Sequence, residues 1–106
     1  MGVDREQLVE QVLILVESVP VGRVTTYGAL AAAVGFGGPR WVGNVMAQYG
    51  ATVPWWRVVR ADGTLPASHR RAALAHYRAE STPLRYDANA RAARVDLRMA
   101  GWEPPG

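Results

Sequence analysis

Tyr27, Arg40 and the adjacent pair Trp55 and Trp56 are the side chains of this sequence best able to do chemistry. That chemistry is recognition rather than bond making. An aromatic ring stacks on a nucleobase, which is worth about 1–3 kcal/mol per base. An arginine can fill the gap left when a base leaves its stack, and helix N-termini offer N–H groups to phosphate. For Tyr27 and for one of the two tryptophans, plain core packing is the competing explanation. The means of covalent catalysis are missing. There is no cysteine, hence no thiol nucleophile, no disulfide and no thiolate metal site. Two histidines do not make up a structural zinc site. There is no Gly-x-Ser-x-Gly elbow and no glycine loop of the Walker type. His69 and His76 fall seven apart in one expected helix with Ser68 alongside, but neighbours on a helix point in different directions. The nine carboxylates form no pair at metal-ligand spacing. Neither a cofactor nor a metal is expected, and the chain is expected not to be an enzyme.

These residues need elements to place them. Asp4 to Val19 reads as an amphipathic helix, with Leu8, Val12, Leu15, Val16 and Val19 at helical spacing and an Asp4/Gln7 capping box. Pro20 and Gly22 stop it. Thr25 or Thr26 can cap a second helix carrying Tyr27, Leu30, Ala31 and Val34 as one apolar stripe. After the tight connection Gly35-Phe36-Gly37-Gly38, Pro39 suits the first turn of a third helix. Val42, Val45, Met46 and Tyr49 would be its core side. Its other face, Arg40, Gly43, Asn44 and Ala47, is small and polar. Two short helices joined by a glycine-rich turn form a helix-turn-helix signature. Gly43 costs about 1 kcal/mol relative to alanine in a helix interior, and close approach of DNA to the backbone is a reason to accept that cost. An ordinary αα-hairpin is the alternative.

Downstream, Arg57 to Thr64 with its Asp62-Gly63 turn predicts a small hairpin, a wing. Ser68 to Glu80 predicts a helix in which the serine could cap. Thr82-Pro83 ends it. Leu84–Tyr86 and Arg94–Asp96 predict two short strands, and Leu97 to Trp102 a last turn or helix.

Length and charge bound the rest. The 106 residues predict one domain, 1–106, with one modest core. All twelve basic residues are arginine and the formal net charge is +3, which points mildly toward an anionic partner. No apolar run is long enough to span a membrane, and Met1 to Glu10 lacks a signal-peptide pattern. The expected location is the cytoplasm, on the nucleoid if the source is a prokaryote, and the expected state is a monomer.

Three motifs carry a family resemblance. Val19-Pro20-Val21-Gly22-Arg23-Val24-Thr25-Thr26-Tyr27-Gly28 resembles the entry to the DNA-binding domain of the O6-alkylguanine-DNA alkyltransferases. Arg40-Trp41-Val42-Gly43-Asn44-Val45-Met46 resembles their recognition helix. Val53-Pro54-Trp55-Trp56-Arg57-Val58-Val59 falls where those transferases carry Pro-Cys-His-Arg-Val. Trp55 stands in place of the alkyl-accepting cysteine and Trp56 in place of its activating histidine. An indole N–H is only a donor and no nucleophile. The chain therefore resembles the alkyltransferase-like branch, which binds O6-alkylguanine in DNA, flips it, leaves it unrepaired and marks it for nucleotide excision repair.

The resemblance implies a mainly α fold, a winged-helix-like helix-turn-helix domain with a small β-hairpin. It implies roles as well. Tyr27 would press on the phosphate 3′ of the lesion, and Arg40 would replace the extruded base. Pro39, Gly43 and Asn44 would lie against the minor groove. Trp55 would line the lesion pocket, Val58 would offer backbone contacts to the guanine, and Ser68 or His69 would form the lid of that pocket. Glu80 falls near the glutamate of the transferase hydrogen-bond relay, which without cysteine and histidine leaves it a structural part. Members mostly keep histidine where this chain has Trp56, and a small residue where it has Trp41. A large indole at Trp41 could clash, stack or wedge into the groove. The alternatives on residues alone are a winged-helix transcription regulator, a protein-interaction module, and a transferase with another nucleophile.

Overall fold

The computed structural model describes residues 4–65, 67–86 and 93–105. Helix α1 (Arg5–Ser18) begins at Asp4, whose carboxylate accepts the Glu6 N–H at 3.0 Å. The expected reach of the cap to Gln7 is thus replaced by a shorter turn. Strand β1 (Thr25–Thr26) leads directly into α2 (Tyr27–Val34), and Thr26 Oγ1 accepts the Ala29 N–H at 3.0 Å. Gly35 ends α2 in the left-handed region, where a side chain would be strained. Helix α3 (Pro39–Tyr49) starts on Pro39, as its missing N–H favours.

Past α3 the chain tightens into two 3₁₀ turns, Gly50–Thr52 and Trp55–Arg57, then forms β2 (Val58–Val59). A third 3₁₀ turn, Ala67–His69, precedes α4 (Arg70–Glu80). Strands β3 (Leu84–Tyr86) and β4 (Ala93–Val95) and helix α5 (Leu97–Ala100) complete the described elements. The fold is mainly helical, a helix-turn-helix with a small β-hairpin, as expected.

Several local expectations need correction. The Asp62-Gly63 turn forms, with the Gly63 N–H on the Arg60 carbonyl at 2.8 Å, but it does not close a hairpin on β2. Instead β2 pairs in parallel with β1, Thr25 opposite Val58 and Thr26 opposite Val59. The antiparallel hairpin is β3–β4. Ser68 does not cap α4; His69 is the residue before the helix and makes no side-chain cap. Tyr49, expected in the core, is 49% exposed because α3 ends there and its last turn clears the packed region. Asp96 lies outside β4 and caps α5, accepting the Arg98 N–H at 3.1 Å.

Two apolar clusters hold the elements. One joins Val12 and Val16 of α1, Leu30 and Ala31 of α2, and Val42 and Val45 of α3. The other gathers Val24, Val59, Leu65, Ala73, Tyr77 and Val95, with Trp55 and Trp56 packed against it. Strand β2 joins the two sets, Val58 in the first and Val59 in the second; Tyr27 packs against the first, and Trp55 and Trp56 against the second.

Candidate nucleic-acid interface

A cleft of about 360 Å³ opens beside the small face of α3. Tyr27 lines it from the first turn of α2, Gly43 and Ala47 from α3, Trp55 from its 3₁₀ turn, and Ser68 and His69 from the segment before α4. Five residues named from the sequence, Tyr27, Gly43, Trp55, Ser68 and His69, thus share one cavity. Arg40 and Asn44 stand exposed on the same face of α3, with exposed Pro39 at its start. Val58 is the exception. Its side chain is fully buried in the α1–α3 core and its backbone belongs to the β1–β2 pair, so it does not line the cleft. Gly43 has open space where a Cβ would stand. Its lack of a side chain therefore serves the outer surface and no internal contact.

Trp41 resolves in favour of packing. Its ring meets Phe36 edge-on, with centroids 5.0 Å apart at 81°, and lies against the α1–α3 core. A Cβ on Gly37 would come within 2.8 Å of the indole. The ring therefore folds back over the turn between α2 and α3, and the cleft is lined without it.

The two tryptophans have different jobs. Trp55 borders the cleft, edge-on to Trp56 (5.6 Å, 87°) and near His69 (5.4 Å). Trp56 is turned inward. His76 stacks on it at 3.6 Å and 3°, and its Nε1–H donates to Glu80 Oε2 at 2.8 Å. Glu80 also accepts from Arg57 Nε (3.1 Å) and Nη2 (2.8 Å) and from the Gly22 N–H (3.1 Å). Arg57 Nη1 donates to the Val19 carbonyl at 3.0 Å. Burial pushes the Glu80 carboxyl up, but the donors from Arg57, Gly22 and Trp56 outweigh it and hold the group below its ordinary value. Buried Tyr77 closes the arrangement by donating its hydroxyl to the Trp56 carbonyl. This polar clamp ties the strand entry, the tryptophan turn and α4 into one support beneath the cleft.

Sequence reasoning weighed His76 only as a partner of Ser68 and His69 and gave Tyr77 no role. The signal available was their spacing on α4: Ala73, His76, Tyr77 and Glu80 sit at i, i+3, i+4 and i+7, one face turned to the Trp-Trp turn. Burial raises the Tyr27 hydroxyl, and nearby Arg60 partly opposes that. Ser68 Oγ lies 2.9 Å from His69 Nδ1 at the exposed rim. Among the described residues no cluster of three or more His, Cys, Asp or Glu is placed to hold a metal. No described helix is long and apolar enough to cross a membrane.

Comparison with known proteins agrees with this geometry. The family described as 6-O-methylguanine DNA methyltransferase, DNA binding domain, matches residues 7–81. A DNA base-flipping protein of Vibrio parahaemolyticus serotype O3:K6 (strain AQ3810) is 26% identical over 102 residues, 93% of this chain and 99% of the relative. S. pombe Atl1, solved in complex with damaged DNA containing O6-carboxymethylguanine, is similar at a TM-score of 0.80 and 26% identity, over 98% of this chain and all of that one. Mycobacterium tuberculosis OGT in complex with DNA is similar at a TM-score of 0.56 and 27% identity, over 77% of this chain and 54% of that one.

Proposed function

The chain belongs to the family of the 6-O-methylguanine DNA methyltransferase DNA-binding domain, in its alkyltransferase-like branch, and from that membership we propose that it recognises O6-alkylguanine in duplex DNA without repairing it. The observation that carries this reading is the shared cleft: Tyr27, Gly43, Trp55, Ser68 and His69 line one space, and the resemblance of Val53–Val59 to the transferase motif makes the indole of Trp55 the counterpart of the thiol. An indole can stack on a base but cannot accept an alkyl group. The base-flipping name of the Vibrio relative and the damaged DNA bound by Atl1 support the same reading.

In this reading the thin face of α3 enters the minor groove. That groove's donor and acceptor pattern is degenerate, which suits a reader of lesions rather than of sequence. Tyr27 presses on the backbone and the lesion swings out. Extrusion costs a few kcal/mol, least for a damaged base that pairs badly. Arg40 takes the vacated place, and Pro39 and Asn44 brace the groove wall. The alkylated guanine rests against Trp55, with Ser68 and His69 over it. With Trp41 folded onto the α2–α3 turn, nothing bulky stands between α3 and the duplex. The protein acts as a monomer, in the cytoplasm or on the nucleoid, and the lesion so held is handed to nucleotide excision repair.

Fluorescence anisotropy on paired duplexes, identical except for one guanine or O6-methylguanine, tests the reading. The lesion duplex is expected to bind tighter and to be recovered with its alkyl group in place. Tyr27→Ala and Arg40→Ala are each expected to weaken lesion binding about tenfold or more, roughly 1.4 kcal/mol or above. Unchanged affinity in both variants removes base flipping from the account.

A further inference from the structure

Because β1 and β2 run parallel, their C-terminal ends leave the fold on the same side. One end delivers Tyr27 and the other delivers Arg60, which is close enough to act on the Tyr27 hydroxyl. From Arg60 the chain passes through Ala61 and Asp62 into the Gly63 turn. That turn lies on β4: the Val95 N–H donates to the Gly63 carbonyl at 2.8 Å, and Thr64 bridges Arg94. Here a second cleft of about 380 Å³ opens, sharing no lining residue with the first. Asp62, Arg85, Tyr86, Arg94, Asp96 and Arg98 border it.

The charges of this cleft are arranged against the stability of the free protein. Arg85 and Arg94 are directly opposite each other in the β3–β4 register, and both are exposed. Like charges so placed destabilise a strand pair. The two carboxylates spend their hydrogen bonds on neighbouring groups of their own segments, although the charge of Arg94 still reaches Asp62. Asp62 accepts the Thr64 N–H (3.0 Å) and hydroxyl (2.8 Å), and Asp96 accepts the N–H groups of Arg98 (3.1 Å) and Met99 (3.4 Å). Among the described residues the one ion pair is Arg57 with Glu80. The guanidiniums of Arg85, Arg94 and Arg98 therefore have no carboxylate closed on them there, and exposed Tyr86 adds an aromatic face and a hydroxyl.

We propose that this arginine-bordered cleft is a second phosphate site, over which a DNA strand continues after leaving the base-binding cleft at Tyr27 and Arg60. The inference rests on the reading of the chain as a DNA-binding protein. DNA is favoured over an acidic protein because Arg60, which acts on the residue assigned to the lesion's backbone, is followed directly in the chain by Ala61 and Asp62 of this cleft. Phosphates follow one another at about 3.4 Å of axial rise per nucleotide, so a strand passing Tyr27 meets the Asp62 turn within a few nucleotides. Guanidiniums match phosphate oxygens in pairs. Such contacts carry no sequence or lesion information and set affinity and register.

The test is a salt series on guanine and O6-methylguanine duplexes with the wild type and the variant Arg85→Gln/Arg94→Gln/Arg98→Gln. Every phosphate left without its arginine takes about 0.9 off the slope of log K against log salt. The expected variant binds both duplexes about tenfold or more weakly, flattens the slope by roughly 2–3, and keeps the wild-type preference for the lesion. Shortening the duplex from each side in turn gives a measurement independent of the variant's folding: trimming one flank flattens the wild-type slope and trimming the other does not. An unchanged slope in the variant, or equal response to both flanks, overturns the second site while the lesion reading stands. A wild type that binds no duplex overturns both. Loss of lesion preference in the variant also overturns the proposal, because it would place these arginines in base recognition.

Discussion

Trp56 keeps one half of what a histidine would do at its position and discards the other. Its Nε1–H still donates to Glu80, but it has no lone pair with which to take a proton. Putting a thiol back at position 55 alone should therefore leave a poor nucleophile. Trp55→Cys is expected to take no measurable label from an alkylated oligonucleotide, whereas Trp55→Cys/Trp56→His restores a base beside the thiol and should transfer label at least about 100-fold faster. Equal rates in the two variants would mean that the neighbour is irrelevant. Glu80 supports a prediction of a different kind. Its folded-state carboxyl titrates below the ordinary 4.5, so its ionised form stabilises the native state. That contribution is whole at neutral pH, begins to fall near pH 4.5, and is gone below the lowered native value. Arg57 and Glu80 are only 13% and 11% exposed, so Glu80→Gln should cost roughly 2–4 kcal/mol at pH 7 by leaving Arg57 unpaired. Urea midpoints at pH 7, 5 and 3 check this: the gap between wild type and variant should close on acidification. A gap independent of pH would assign the loss to packing.

Gly43 on α3 separates stability from function. With nothing within 4 Å of its absent Cβ, Gly43→Ala should raise stability by about 1 kcal/mol, or roughly 4–8 °C in melting temperature for a chain this size. It should weaken duplex binding at the same time, because the added methyl would stand on the face that the proposed reading turns to the groove. A variant both more stable and equally tight would remove α3 from the interface. The helices are legible in the sequence because each is written locally: Thr26 as cap, Pro39 as first residue, and apolar residues at helical spacing. The strands are not. A two-residue strand has no alternation to read, and β2 finds its partner 33 positions back, so the Asp62-Gly63 turn suggests a neighbouring hairpin instead. The cleft is legible through Tyr27, Gly43 and Trp55 because each stands in one of three ordered motifs, whereas Ser68 and His69 lie beyond those motifs. Its support is less so. Tyr77 lies in an alanine-rich helix with no periodic apolar stripe to mark it, and its burial depends on the turn 21 residues upstream whose carbonyl it caps. Val58 is named by its motif for its backbone, and the structure adds that its side chain is a core residue and that it pairs with Thr25 of β1.

Helix α1 is acidic on its surface. Asp4, Glu6, Glu10 and Glu17 lie on or cap it and are all exposed, against the single Arg5, whereas Arg40, Arg60, Arg85, Arg94 and Arg98, also exposed, follow it in the chain. A polyanion is thus drawn to one part of the surface and turned away from another, which orients encounter as well as strengthening it. The indole at position 55 has a consequence for the whole complex. A protein that takes an alkyl group is spent by its reaction, and the bond it forms is a permanent record. On the proposed reading nothing covalent is made, so the only record is how long the two molecules stay together. Each further 1.4 kcal/mol between lesion and plain DNA lengthens that stay about tenfold when association rates are alike. The message is a waiting time, set by stacking and phosphate contacts, and the same molecule is free to deliver it again.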